Sequence, residues 1–347
     1  MAQRWKNKPP GSNWGVFGPD DRRGRMNTVT REKVLQGVAE VREGLVFCLS
    51  LPLDYPGGSA LNPRRSPPRL AATQRAGKQN FCYALAAENP INTDVVCDDQ
   101  VLLTLQYSTQ WDSLAHVGSR FDADGDGKAE TVFYNGFRGG QDIKPAPESE
   151  DVEGWERFEG TDGGPLGIQT LAEHGVQGRG VMIDLHHHFG RKRHAVGYDE
   201  LMKVLEADQV QVEKGDMVCL YTGFADVLLE MRKRPDAKLL RETCTGLDGR
   251  DERLLQWISD SGLAVLASDN YAVEIIPVSL SKPKPAALMP LHEHCLFKNG
   301  IHLGEMWYLA ELSGWLRGHR RSRFLLTAPP LRLPGAVGSP ATPVATV

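Results

Sequence analysis

The chain has 347 residues, with 40 Lys and Arg against 44 Asp and Glu, a formal net charge of −4 and 41% apolar residues. Such a length and composition suit a globular protein that can bury a full core. The charge balance offers no concentrated basic face, which argues against nucleic-acid and membrane partners. Six cysteines (Cys48, Cys82, Cys97, Cys219, Cys244 and Cys295) lie far apart in sequence with no C-x-x-C spacing. They suggest neither a zinc ribbon nor a disulfide framework and read as free thiols in a reducing compartment. The opening MAQRWKNKPPGSNWG lacks the apolar core of a signal peptide, and no later stretch offers about eighteen uninterrupted apolar residues, so a cytoplasmic location is expected.

Residues 1–27 read as an irregular N-terminal arm, because Pro9, Pro10, Gly11, Gly15, Gly18 and Pro19 discourage regular structure. Trp14 and Phe17 are its expected anchors. Thr30 is a suitable N-cap for a helix over 31–42, in which Val34, Leu35, Val38 and Val41 recur at helical spacing until Gly44. Residues 45–53 form a short apolar strand pattern. The Pro-, Arg- and Gly-rich stretch 54–80 then reads as a long loop bordering a pocket or a subunit partner.

Val101, Leu102, Leu103 and Leu105 read as a strand leading into QYSTQWDSLAH, residues 106–116. Within eleven residues this stretch gathers Gln106, Gln110, Asp112 and His116. A carboxylate, an imidazole and two carboxamides can hold a divalent ion such as zinc or manganese if other parts of the fold complete the shell. The alternative is a polar strand-to-loop passage with a capping Asp and a surface His. Next comes FDADGDGKAE, where Asp122, Asp124, Asp126 and Gly127 fit the start of an EF-hand loop, but Phe133 stands where a bidentate Glu is required. A solvated acidic turn is the better reading.

From residue 180 onwards strand-like runs (180–185, 217–222, 263–267, 324–327) alternate with helical patterns (198–205, 225–232, 252–259, 306–315), as in an α/β layered domain. His186, His187 and His188, with His194, follow the first of these runs. Consecutive histidines point in different directions, so pocket-rim or surface placement is expected for most of them. Ser268, Asp269, Asn270 and Glu274 follow the 263–267 run and suit a supporting role in which they orient a ligand. The sequence holds no G-x-S-x-G elbow and no Gly-rich phosphate loop, so the chemistry is expected to belong to an activated water. Residues 328–347, rich in Pro and Gly, read as an extended C-terminal tail.

The central stretch resembles the metal-binding signature H-x-G-T-H-x-D-x-x-x-H of the cyclase family of hydrolases, which includes bacterial kynurenine formamidases and isatin hydrolases. Thr109, Asp112 and His116 match it, whereas Gln106, Ser108 and Gln110 depart from it. Asp21, Gly24 and Asn27 match the family's D-x-x-G-x-x-N opening, Gly180, Val181 and Asp184 its G-V-x-x-D strand, and SDNYAVE another of its blocks. The resemblance implies that His292, with His294 as the other choice, and Glu305 opening a helix complete a metal site with Gln106, Gln110, Asp112 and His116.

It also implies a single α/β domain with a mixed sheet of the swivelling β/β/α type, spanning residues 28–327 between the arm and the tail. A homo-oligomer, dimer or tetramer, is expected. The implied activity is hydrolysis of a small amide, cyclic amide or lactone by a water activated on manganese or zinc. Asp112 would hold the metal, and His116 would act as general base or proton shuttle, or else as a direct ligand. Trp111 and Phe137 would line a pocket for a cyclic substrate or pack in the core. The two glutamines keep a second possibility open, a family member that binds a small carbonyl compound or a metal without turnover. A third is a calcium-dependent module built on Asp122–Glu130.

Overall fold

Near-continuous apolar runs belong in strands covered on both faces, and the computed structural model, which describes residues 3–145, 160–276 and 286–347, places them there. Nine strands make the large sheet: β1 (Val46–Cys48), β2 (Gln110–Asp112), β3 (Gln177–Asp184), β4 (Met217–Tyr221), β5 (Val265–Ser268), β6 (His302–Glu305), β7 (Arg323–Thr327), β8 (Gly338–Pro340) and β9 (Val344–Thr346). Their spatial order is β1-β9-β7-β3-β4-β5-β6-β2-β8. Strands β3 to β6 run parallel, and the flanking pairs are antiparallel.

Alternation along the strands divides the core in two. Val181, Ile183, Val218, Leu220 and Leu266 face one way and meet Leu201, Val204, Leu254 and Ile258 of the helices Tyr198–Ala207 and Glu252–Asp260. Met182, Met217, Cys219, Val265 and Ala267 face the other way and meet Leu312 and Leu316 of the helix Ala310–Gly318. The chain is a single α/β domain.

Several elements differ from the sequence pattern. The Val101–Leu105 run does not enter the core: Asp99–Leu102 pairs with Arg69–Ala72 in a peripheral ribbon, and Val101 is 46% exposed. Its apolar composition specifies a strand but not the sheet it joins. The supposed loop 54–80 is therefore irregular only to about residue 68, and the rest belongs to a projecting arm of three two-stranded ribbons. The first helix spans Arg31–Val38 with Thr30 as its cap, and it buries Lys33 and Gly37 rather than Leu35 or Val38. The tail 328–347 supplies β8 and β9.

The N-terminal arm is held by specific bonds. Trp14 is buried, donates its indole N–H to the Phe297 carbonyl at 2.8 Å and stacks edge-on against Phe297. Trp5, not Phe17, is its buried companion. Asp21 accepts from the Gly24 N–H, the Asn27 amide and the Tyr134 hydroxyl, which accounts for the D-x-x-G-x-x-N spacing as a structural clasp. Gly24, at φ +56, packs directly on Gly300, so an added Cβ would overlap the Gly300 carbonyl. Gly24→Ala therefore meets both a left-handed backbone and a steric overlap, and is expected to destabilise the protein by about 2 kcal/mol or more in denaturant unfolding; a loss under about 0.5 kcal/mol would show that the contact relaxes freely.

Candidate metal centre

A strand shows alternate residues on one face, and β2 puts Gln110 and Asp112 on one side and Trp111 on the other. Its antiparallel register with β6 sets Gln110 opposite Glu305. Cross-strand neighbours touch, so two short strands bring an amide and two carboxylates together: Gln110 Nε2 donates to Asp112 Oδ1 at 2.9 Å and lies 3.4 Å from Glu305 Oε2. Glu305 ends a strand rather than opening a helix, since the backbone turns at Met306, φ 55, and the helix begins only at Ala310. Backbone bonds from Met306 N to Asn270 O and from Trp307 N to Ser268 O fix that turn.

His292 reaches the same point from the helical turn Pro290–His292 and the wide turn Glu293–Lys298 that follows. Its Nε2 lies 3.1 Å from Glu305 Oε1 and its Nδ1 2.8 Å from Glu274 Oε1. Glu274 also accepts the backbone N–H groups of Leu291 and His292, so it orients the imidazole. Ligand atoms of Asp112, His292 and Glu305 all lie within 4.8 Å of one another, and the three residues are buried. His294 turns away, toward Ser259 Oγ and Asn299, and burial lowers it to about 4.

The other sequence candidates fall at graded distances. His116 Nε2 stands 3.9 Å from Asp112 Oδ1 with its side chain 20% exposed, at the edge of the cluster. The Gln106 side chain packs against Gly338, the residue in register with Asp112 on β8, and the Gln106 backbone carbonyl accepts from Arg65 Nη1 at 2.7 Å. It has no hydrogen bond to Asp112, His292 or Glu305. His186, His188 and His194 are engaged elsewhere, with Thr222 O, Asp208 and Glu200. Asp269 binds Thr222 and Gly223 and ties β5 to β4.

Trp111 and Phe137 are core residues, Trp111 donating to the Ala328 carbonyl at 2.7 Å and packing edge-on against Trp307. The three aspartates of the EF-hand-like stretch sit in a hairpin between Ser119–Phe121 and Glu130–Val132. Asp122 spends its carboxylate on backbone N–H groups of the turn. Arg65 is a residue the sequence pattern gave no means of choosing. It lines a small cavity of about 10 Å³ with Asn62, Tyr107, Tyr271 and Met306, and its charge favours ionised Asp112 and Glu305.

Burial and charge act in opposite directions here. Burial raises Asp112, and the neighbouring Glu305 charge raises it further against the pull of His116 and His292. Burial alone would raise Glu305 too, but the hydrogen bond and charge of His292 outweigh it and hold Glu305 below its usual range. His292 is disfavoured as a cation by burial, yet Glu274 and Glu305 push it up to about 10. Two buried acceptor atoms remain without a partner, Asp112 Oδ2 and Gln110 Oε1. Buried oxygens of this kind are rarely left unpaired, and two carboxylates, an imidazole and an amide oxygen form a donor set suited to a divalent ion such as manganese or zinc.

Comparison with known proteins bears on the family and the fold. The family model of the cyclases matches residues 49–275. The crystal structure of a novel cyclase is 27% identical, covers 97% of each chain and superposes with a TM-score of 0.72. Isatin hydrolase A from Labrenzia aggregata, bound to benzyl benzoate, is 14% identical with a TM-score of 0.55, over 90% of this chain and 97% of its own. An isatin hydrolase bound to the product analogue thioisatinate is 14% identical with a TM-score of 0.51, over 92% and 99%. Both share the fold. No curated protein matches the sequence.

Because the folded value of His292 lies above its ordinary 6.5, its imidazolium contributes stability that is complete below about pH 6.5 and is lost as pH rises through about 10. Thermal unfolding of the chelator-treated protein and of His292→Gln, compared from pH 6 to 10, should show the advantage of the native residue shrinking toward the alkaline end. A constant difference across that range would contradict the bridging imidazolium.

Proposed function

The chain belongs to the cyclase family, and on that premise we propose that it is a metal-dependent hydrolase of a small amide, cyclic amide or lactone. The observation that carries the proposal is the pair of unpartnered buried oxygens, Asp112 Oδ2 and Gln110 Oε1, beside the ligand atoms of Asp112, His292 and Glu305. A divalent ion bound there would supply Lewis acidity, favouring deprotonation of a water and polarisation of a carbonyl. Asp112, His292 and Glu305 would hold it, and a half-turn of the Gln110 amide would present Oε1 in place of the NH₂ that now faces both carboxylates.

The remaining residues have supporting work. Glu274 fixes the imidazole of His292 by taking its Nδ1 proton in a hydrogen bond, which leaves Nε2 to face the centre. His116, partly exposed and 3.9 Å from Asp112 Oδ1, would accept a proton from the attacking water and release it toward solvent or the leaving group. Arg65, beside the small neighbouring cavity, would help keep Asp112 and Glu305 ionised. The structural likeness to isatin hydrolases favours the cyclic amide within the substrate class.

A homo-oligomer remains our proposal; Leu35, Val38 and Val46, exposed on the first helix and on edge strand β1, are the apolar surface that supports it. A cytoplasmic setting is proposed likewise, and no helix among the described residues is long and apolar enough to cross a membrane. Gln110 in place of the signature histidine favours a second reading, a protein that binds metal and a carbonyl ligand without turnover.

Purified protein supplied with manganese or zinc should hydrolyse a member of a panel of cyclic amides, lactones and aryl formamides. Asp112→Asn should lower both metal content and kcat/KM by roughly a hundredfold or more, since even residues that only support a ligand cost 10–100-fold. Unchanged turnover in the variant would remove Asp112 from the site, and stoichiometric metal with no hydrolysis across the panel would favour the second reading.

A further inference from the structure

The projecting arm carries a pair of thiols that the sequence spacing conceals. Tyr83–Ala84 pairs antiparallel with Val95–Val96, in the register Tyr83 to Val96 and Ala84 to Val95. Cys82, at φ 52, lies just before this pairing, and Cys97 lies just after it. Their Sγ atoms are 3.9 Å apart, both residues are exposed, and the Cys82 backbone N–H points at Cys97 Sγ at 3.0 Å. Backbone bonds hold the ribbon on both sides of the pair, from Leu85 N to Asp94 O at 2.9 Å and from Asp98 N to Asn80 O at 2.8 Å.

We propose that Cys82 and Cys97 are a site of reversible oxidation, forming an intrachain disulfide across the arm with hydrogen peroxide as oxidant. The sulfurs already stand 3.9 Å apart, against about 2.05 Å in a formed disulfide. Side-chain rotation of two exposed cysteines is enough to close the gap. The Cys82 backbone N–H points at Cys97 Sγ, and the hydrogen bond with Cys97 raises the Cys82 thiol above its ordinary value. Cys97 is therefore the attacking sulfur.

The thiolate of Cys97 attacks one peroxide oxygen, the O–O bond breaks, and hydroxide leaves to become water, giving a sulfenic acid. The sulfur of Cys82 then attacks that sulfur, the S–O bond breaks, and a second water departs with the Cys82 proton. Two thiols and one peroxide yield one disulfide and two waters. A dithiol reductant reverses the link by exchange. The other cysteines lack this arrangement: burial pushes Cys219 up to about 12 and Cys244 up to about 11, Cys295 is buried, and Cys48 is exposed on edge strand β1 without a thiol partner.

The test is peptide mapping of the full-length reduced protein after peroxide, alkylation with N-ethylmaleimide and digestion without reductant. The expected product is a peptide linking Cys82 to Cys97 within one chain, formed faster than Cys48 is oxidised, reversed by dithiothreitol, and missing from Cys82→Ser. Oxidation of Cys48 while Cys82 and Cys97 stay alkylatable would overturn the proposal, as would their conversion to sulfinic acids without a link, or preferential linkage of either to another cysteine or a second chain.

Discussion

Two carboxylates, Asp112 and Glu305, lie buried side by side on adjacent antiparallel strands, and the structure around them answers the cost of that burial. An unpaired buried charge costs several kcal/mol, so something positive must stand between or beside them. In the protein alone that role falls to the His292 imidazolium, bound on its other side by Glu274, and to the amide hydrogens of Gln110. The compensation is incomplete, because Asp112 Oδ2 still has no partner. Asp112, Glu305 and a neutral His292 would complete it by holding a divalent ion, whose positive charge would offset the two carboxylates.

The distant parts of the chain converge because the frame leaves them few alternatives. The β2 to β6 register fixes Gln110 against Glu305, and the turn at Met306 is bonded to the end of β5. His292 depends on the wide turn over 293–298, which the N-terminal arm clasps from outside through Trp14 on Phe297 and Gly24 on Gly300. The D-x-x-G-x-x-N segment thus supports the centre through packing, at a distance from any chemistry of its own.

Much of the parallel sheet was legible in the sequence, since β3, β4 and β5 are apolar runs whose period and length admit little else. The centre was legible in part. Asp112, with its neighbour Gln110, stood out by spacing, and His292 and Glu305 through the family resemblance alone, because no local pattern records a contact made across nearly two hundred residues. What was not legible depended on tertiary choice: that Val101 and Leu102 join a peripheral ribbon, that β8 and β9 enter the sheet from a Pro- and Gly-rich tail, and that Glu305 ends a strand. Arg65 and the facing of Cys82 and Cys97 arise only when the arm is folded.

The central claim is that one divalent ion sits among Asp112, His292 and Glu305. Anomalous diffraction from crystals soaked in manganese measures this directly. The account predicts a peak within about 2.0–2.3 Å of a carboxylate oxygen from each acid and of His292 Nε2. A peak only at the Asp122, Asp124 and Asp126 hairpin, or none at the buried cluster under saturating metal, would contradict it.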